Sequence, residues 1–501
     1  MNNPSKLKLP KLKKVENRIP FDVSKKFEYL SKDKRKKILL ICDDIRVHSG
    51  VATQAREMVI GTCQHFNWVQ IAGAIKHPEK GKRFDLSEDT NKNAQINDSS
   101  VVIYPVDGYG DANLVRQLID LEKPDAIMLF TDPRYFEWLF QIENEIRQSI
   151  PIIYLNIWDD LPTPLYNKSF YESCDALLAI SKQTKLINEL VLGDKAKNKV
   201  IEYVPHGLNH NHYYPITEEK EVIELNKFKQ QIFQDEEKEF VMFFNSRNIR
   251  RKQIPDTMLA FKYFLDKLPK EKADKCCFIL HTEVISEHGT DLEEVRKILF
   301  KDYPNAIMFS TNKLGNKELN YLYNIADVQI LLTSNEGWGL TLTEAILSGT
   351  PIIANVTGGM QDQMGFEDND GNWYEPTPEI PSNHTGRYRK HGDWAFPVFP
   401  TNRSLQGSPR TPYIWDDRCR PEDAYHKIMD VYNLGNTKRK EYGLLGREWA
   451  IKKVGFTSEA MSERVINAID KLFNTWTPRE KYELINVNEI KENTINHELL
   501  Y

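Results

Sequence analysis

No stretch of this 501-residue sequence is apolar for long enough to cross a bilayer, and the amino-terminal residues lack the apolar core of a secretory signal. Cysteine is scarce. Cys42, Cys63, Cys174, Cys276, Cys277 and Cys419 are scattered without ligand-like spacing, several of them inside apolar runs. That pattern speaks against a disulfide framework or a zinc module and for reduced, buried thiols in a cytoplasmic protein. Three nucleotide and hydrolase signatures are also missing: a Walker phosphate loop, a Gly-x-Gly-x-x-Gly after the first strand, and a Gly-x-Ser-x-Gly elbow. Readings as a P-loop nucleotidase, a dinucleotide dehydrogenase or an α/β-hydrolase therefore lose their central parts. Net charge is small, −5, but unevenly placed. Residues 1–37 hold 13 Lys or Arg against 4 Asp or Glu, a local excess of +9. Such an arm is either a solvated extension or a segment drawn to an anionic surface, lipid or nucleic acid.

What the chain does have is length, a 40% hydrophobic content and a repeating order of elements. Short, continuous apolar runs alternate with amphipathic stretches. In the first half they are residues 37–42, 68–73, 101–106, 126–131, 151–156, 176–180 and 201–204. In the second half they are residues 240–245, 277–281, 306–310, 328–333 and 351–354. Continuous rather than alternating apolarity is the mark of strands buried on both faces of a parallel sheet. The expected fold class is α/β, two facing doubly wound Rossmann-like domains with a cleft between them. The expected division is a basic arm over 1–35, an N-terminal Rossmann-like domain over 36–215 and a linker over 216–238. A C-terminal Rossmann-like domain follows over 239–455, then a closing helix over 456–476 and a tail over 477–501. Residues 361–425, rich in Gly, Pro, Asn, Asp and aromatics, break the pattern and read as an insertion, either a lid or acceptor-binding element or a plain surface elaboration.

The most informative stretch is Glu336-Gly-Trp-Gly-Leu-Thr-Leu-Thr-Glu344, followed by Ala345-Ile-Leu-Ser-Gly-Thr-Pro351. Thr341-x-x-Glu344 is a capping-box pattern, and Gly349 with Pro351 stops the helix it opens. Glu336 then lies on the loop before the helix, and the free N–H groups near Leu340 and Thr341 form an anion site. A phosphate site flanked by two hydroxyl-binding carboxylates suits a sugar nucleotide. A second element is the strand 240–245 running into Arg247-Asn-Ile-Arg-Arg-Lys252, four cations within six residues. At the carboxyl end of a strand such a run can neutralise a diphosphate. Three strand ends in the first half are weaker signals. Gly50 permits close approach of a ligand to backbone, and Asp132 and the Trp158-Asp159 pair could touch a sugar or acceptor, although an ordinary turn and helix caps explain them as well. His206, His210 and His212 have no completing ligand nearby, so no metal site is assigned.

These residues resemble family-4 glycosyltransferases, retaining enzymes of GT-B fold. The likeness is carried by Glu336 to Glu344 with Gly349 and Pro351, by Ile325-Ala-Asp-Val328, by Val204-Pro-His-Gly-Leu-Asn209, and by the spacing of Arg247 and Lys252. The resemblance implies that Glu336 binds donor-sugar hydroxyls, that Glu344 holds the ribose, and that Arg247 and Lys252 stabilise the departing diphosphate. It further implies donor contacts from Gly337, Trp338, Gly339, Leu340 and Thr341, with Gly50 on the facing side. Two departures stand out: Trp158-Asp159 where the family often has a His, and a first glycine-rich loop reduced to Ser49-Gly50.

The function so implied is metal-independent sugar transfer from a nucleotide diphosphate to an acceptor hydroxyl, with retention and with no cofactor beyond a donor such as a UDP- or GDP-sugar. A GT-B epimerase or phosphorylase, and a non-catalytic sugar-nucleotide-binding protein, are the alternatives. A glycan, a lipid, a protein and modified nucleic acid all remain open as acceptor, in a cytoplasmic protein that the arm could bring to a membrane.

Overall fold

The computed structural model describes residues 29–481 apart from Ile75 and Asp235. Most of the basic arm and the end of the tail, residues 1–28 and 482–501, lie outside the described residues, and so does any anionic surface contact made there.

Two parallel sheets organise the described residues. The first has eight strands, in the spatial order Phe84–Asp85, Val101–Asp107, Phe66–Ala74, Lys36–Asp43, Ala126–Phe130, Ile152–Asn156, Ala176–Ala179 and Val200–Tyr203. Only the two-residue edge strand Phe84–Asp85 runs antiparallel. The second has six parallel strands, in the order Ile307–Ser310, Cys276–His281, Phe240–Asn245, Val328–Leu331, Ile352–Asn355 and Ala395–Val398. The central strands are buried along nearly their whole length. Helices cover both faces, which is why the strand sequences read as unbroken apolar runs. This is the GT-B architecture, as expected from the sequence. All six cysteines are free thiols, five of them buried.

The segment 216–238 holds a helix, Glu219–Phe233. The chain then ends by crossing back. Thr457 caps the helix Ser458–Thr475 through its side chain, and that helix packs on Gly50–Thr62 of the first domain. The close approach is specific: a Cβ on Gly61 would meet Ser462 Oγ at 2.0 Å. Ser458 Oγ donates to Glu57 at 2.6 Å, and Asp470 meets the His65 ring at 3.1 Å.

The stretch 361–425 corrects the sequence reading. It is built into the second domain rather than inserted upon it. It supplies the edge strand Ala395–Val398 and the buried residues Phe366, Tyr374 and Trp394. It also supplies an antiparallel hairpin, Asn402–Ser408 with Thr411–Arg418. That hairpin straps the two domains together: Trp415 N donates to Leu161 O at 2.7 Å, and Tyr166 donates through its hydroxyl to Tyr413 O at 3.0 Å.

Candidate active site

Loops at the carboxyl ends of both sheets meet across the domain boundary, where the amino end of the helix Leu340–Leu347 faces Gly50. Gly339 makes this possible by taking φ of 84°, a left-handed cap open to glycine. No side chain caps this helix. The predicted capping box is therefore corrected: Thr341 does not cap, because the helix starts at Leu340, and Glu344 turns inward instead. With no side chain spent on them, the first-turn N–H groups at Leu340 and Thr341 suit an anion. Across the cleft, Gly50 opens the facing helix, and a Cβ there would lie 3.4 Å from Leu340 Cδ1. That helix is capped by Ser49, whose hydroxyl donates to Asp43 at 2.5 Å.

Glu336 sits before the helix and is held by two cations. Arg251 donates to its Oε2 at 2.8 Å, and Lys252 donates to the same oxygen. The short turn Arg250–Lys252 places both groups, and Ser334 N, donating to Arg251 O at 2.8 Å, ties that turn to the Glu336 loop. Burial pushes the Glu336 carboxyl up, but the charges and hydrogen bonds of Arg251 and Lys252 outweigh it and hold it at about 2. Burial pushes Lys252 down to about 8, with the Glu336 charge opposing. Arg247 is exposed, yet its charge contributes to lowering Lys252. The structure thus gathers Arg247, Arg251, Lys252 and Glu336 in one place. Arg251 was legible only as one of four cations in a run.

Glu344 is buried on the other side of the helix. It accepts from Tyr323 Oη at 2.5 Å and from Asn245 Nδ2 at 3.4 Å. Burial pushes its carboxyl up to about 6, against the hydrogen bonds of Tyr323, Tyr213 and Asn245. It lies beside the end of strand Phe240–Asn245, one turn from the anion site.

The glycines of the motif allow the domains to meet. A Cβ on Gly337 would stand 2.8 Å from Ile157 O and 3.1 Å from Ile180 Cδ1, both in the first domain. Trp338 is 2% exposed; its indole donates to Thr343 Oγ1 at 2.9 Å and packs edge-on against Phe456. Its side chain belongs to the core.

From the first domain, Asp159 reaches the cation cluster. Burial pushes it up to about 6, with Arg251 pulling down and Glu336 pushing up. Asp160, next to it, is pushed well above the carboxylate range by burial and by Asp159. Trp158 is buried and lies beneath Arg134, whose guanidinium is 5.5 Å from the indole centre. Asp132 is engaged locally: it accepts from Arg134 N at 3.0 Å and from the Arg134 guanidinium. The cap explanation accounts for Asp132.

His206 lies in the turn Val204–Asn209 that carries part of the resemblance, but no site role was read for it from the sequence. It is 6% exposed, edge-on to Phe130 and Trp338, and its Nδ1 is buried without a partner. Burial pushes it down to about 3, opposed by the Glu336 charge, so it stands neutral beside the cluster. The turn Pro205-His206-Gly207 within that motif was the signal available. Among the described residues, no group of three or more His, Cys, Asp or Glu converges as a metal site would need. No described helix is long and apolar enough to cross a membrane.

Comparison with known proteins bears on the family and the fold. Residues 226–380 match the family described as glycosyl transferases group 1, which bears out the resemblance read from the motifs. Alpha-monoglucosyldiacylglycerol synthase of Acholeplasma laidlawii is 27% identical over 236 residues, 47% of this chain. The match spans 55% of that relative, about half its length. Among solved structures, HepE of Anabaena in complex with UDP and glucose aligns with a TM-score of 0.58 at 13% identity, covering 87% of this chain and 100% of that one. Sucrose-phosphate synthase of Thermosynechococcus elongatus aligns with a TM-score of 0.58 at 15% identity, covering 88% and 100%. At such identities the structural likeness speaks for the fold.

Proposed function

We propose that this protein is a retaining, metal-independent glycosyltransferase that moves a sugar from a nucleoside diphosphate to an acceptor hydroxyl. The observation that carries the reading is the Arg251–Lys252–Glu336 cluster beside the uncapped amino end of Leu340–Leu347. A nucleoside diphosphate laid in the cleft would put its ribose at Glu344 and its phosphates at the helix end, against Lys252, Arg247 and Arg251. UDP is the favoured nucleotide, since a structural neighbour was solved with UDP and glucose.

Glycosyl transfer of this kind is limited by departure of the diphosphate. As the bond from the anomeric carbon to the phosphate oxygen breaks, negative charge grows on the leaving oxygen and positive charge on the sugar. Fixed cations and helix N–H groups stabilise the first, and this preorganised field is the largest contribution such a site can make. Glu336, ionised at every working pH, faces the developing oxocarbenium and the sugar hydroxyls. The acceptor hydroxyl attacks from the face that the diphosphate leaves and passes its proton to a phosphate oxygen, which requires no protein base. The tight contact of the domains keeps bulk water from competing. The buried, free thiols suit a cytoplasmic setting.

Nucleotide release from UDP- and GDP-sugars tests the reading. Lys252→Ala is expected to lower the rate by about 10²–10³-fold, the loss typical of removing a leaving-group stabiliser. Arg247→Ala is expected to fall less, from its exposed position. Equal release by wild type and Lys252→Ala contradicts a catalytic role for the cluster.

A further inference from the structure

The loop after strand Ile152–Asn156 carries two carboxylates, Asp159 and Asp160, that the proposed chemistry leaves unused. Its backbone is tied at four successive carbonyl oxygens. Thr184 Oγ1 donates to Trp158 O at 2.7 Å, Gln183 Nε2 to Asp159 O at 2.6 Å, and Trp158 Nε1 to Asp160 O at 3.2 Å. Trp415 N, on the hairpin of the second domain, donates to Leu161 O at 2.7 Å. A loop gripped in this way presents its side chains in fixed positions.

The carboxylates themselves are left out of these ties. Both residues are half-buried, and among the described residues no other residue donates a hydrogen bond to either carboxylate. They stand instead in the field of the donor site. Gly337 packs on this same loop, where a Cβ would stand 2.8 Å from Ile157 O, so Glu336 and Asp159 approach one another from the two domains. Arg251 serves both: it bonds Glu336 Oε2 at 2.8 Å, and against the upward push of burial its charge pulls Asp159 down. Burial and the Asp159 charge push Asp160 well above the carboxylate range, so the pair carries a single negative charge at neutral pH. Acceptors left without donors at such a place cost stability, and hydroxyl groups of a ligand recover it.

The positive charge of this region is spent once a donor is in place. Arg247, Arg251 and Lys252 supply it, and Glu336 and Asp159 already offset part of it. His206 adds none, since burial holds it down at about 3 and therefore neutral. A sugar-linked diphosphate brings a negative charge on each phosphate, which outweighs what remains. A carboxylate on the sugar would then meet Glu336 and Asp159 with no cation left to pair with it, and like charges a few ångströms apart repel strongly in a half-buried site. A hydroxymethyl group at the same carbon would instead donate a hydrogen bond to a charged acceptor.

We propose that Asp159 makes the donor site selective for uncharged sugars: its carboxylate accepts hydrogen bonds from hydroxyls of the sugar on the side that faces the first domain, and it repels the corresponding uronate. This selectivity rests on the proposed place of the diphosphate at the helix end and the cations; it does not rest on the transfer step.

Calorimetric titration of the full-length chain at neutral pH tests this, with UDP, UDP-glucose, UDP-galactose, UDP-glucuronate and UDP-galacturonate as probes. Each hexose and its uronate differ only at C6. Wild type is expected to bind at least one of the two hexose nucleotides about thirtyfold or more tighter than the matching uronate. Asp159→Asn is expected to bring that ratio down about tenfold, through the loss of one charge-assisted hydrogen bond and one like charge, while UDP alone binds as well as to wild type or better. Asp159→Ser removes the same charge and decides the matter if Asp159→Asn does not fold. A ratio near one in wild type, a ratio that the variants leave unchanged, or a loss of UDP affinity equal to that of the hexose nucleotide overturns the proposal and leaves the nucleotide site standing. Absence of binding by UDP and by all four UDP-sugars removes the reading of a UDP-dependent transferase, and the proposal falls with it.

Discussion

At the scale of single residues, the two glutamates of the motif are opposites in charge behaviour. Glu336 is buried but held at about 2 by Arg251 and Lys252, so its carboxylate does not titrate in any working range. Glu336→Gln is then expected to lower nucleotide release at least tenfold across pH 5–9 without changing the shape of the pH profile. A profile that changes shape would mean that Glu336 gains and loses a proton during turnover. Glu344 is held at about 6, above its ordinary 4.5. Its folded pKa is raised, so its contribution to stability is present in full below about pH 4.5 and lost as pH rises through about 6. The size is about 2 kcal/mol at most. With Glu344 as the proposed ribose partner, the ionised carboxylate is the stronger acceptor, so UDP affinity should rise as pH passes 6. Calorimetric titration of UDP at pH 5, 6 and 7 checks this; in Glu344→Gln affinity should be weaker and flat with pH. Both carboxylates were legible from the spacing of the motif. The inward role of Glu344 was not, because its partners Asn245 and Tyr323 come from distant elements brought together by the sheet. Arg251 and His206 were hidden for the same reason.

At the scale of elements, the strands were legible because two-sided burial leaves continuous apolar runs. The segments that escaped lack that mark. Ala395–Val398 is four residues long and contains Pro397, tolerable there because the strand is an edge. The strand Asn402–Ser408 is exposed along most of its length, so no buried face imposed a pattern. The capping box failed for a different reason: Gly339 in the left-handed region starts the helix two residues before the position that Thr341 as a cap would need. Close contact at Gly337 gives the element-scale prediction. A Cβ there would lie against the carbonyl of Ile157, which cannot move without its strand. Gly337→Ala should cost about 1–3 kcal/mol, lowering Tm by several degrees and nucleotide release with it. An unchanged Tm by calorimetry would mean that the domains do not meet at this point in solution.

At the scale of the whole molecule, two sheets face their carboxyl ends toward one another, and three devices hold them there. These are the returning helix Ser458–Thr475, the strap Asn402–Arg418, and the side chain of Lys182, which bonds Tyr374 O at 2.5 Å and Glu375 at 2.6 Å. The βα repetition in the sequence was enough to give the class of fold and the place of the cleft. The strap was beyond its reach, since it depends on contacts between residues about 250 positions apart, such as Tyr413 with Thr163. The proposed transfer breaks the bond between sugar and diphosphate with retention. The most direct test uses time-resolved proton NMR of the purified full-length chain with a panel of UDP- and GDP-sugars and water as the acceptor. At least one α-linked donor is expected to release its nucleotide, and the free sugar to appear first as the α-anomer, before mutarotation, with Lys252→Ala slower by about 10²-fold or more. Initial release of the β-anomer, or no release from any donor of the panel, would contradict it.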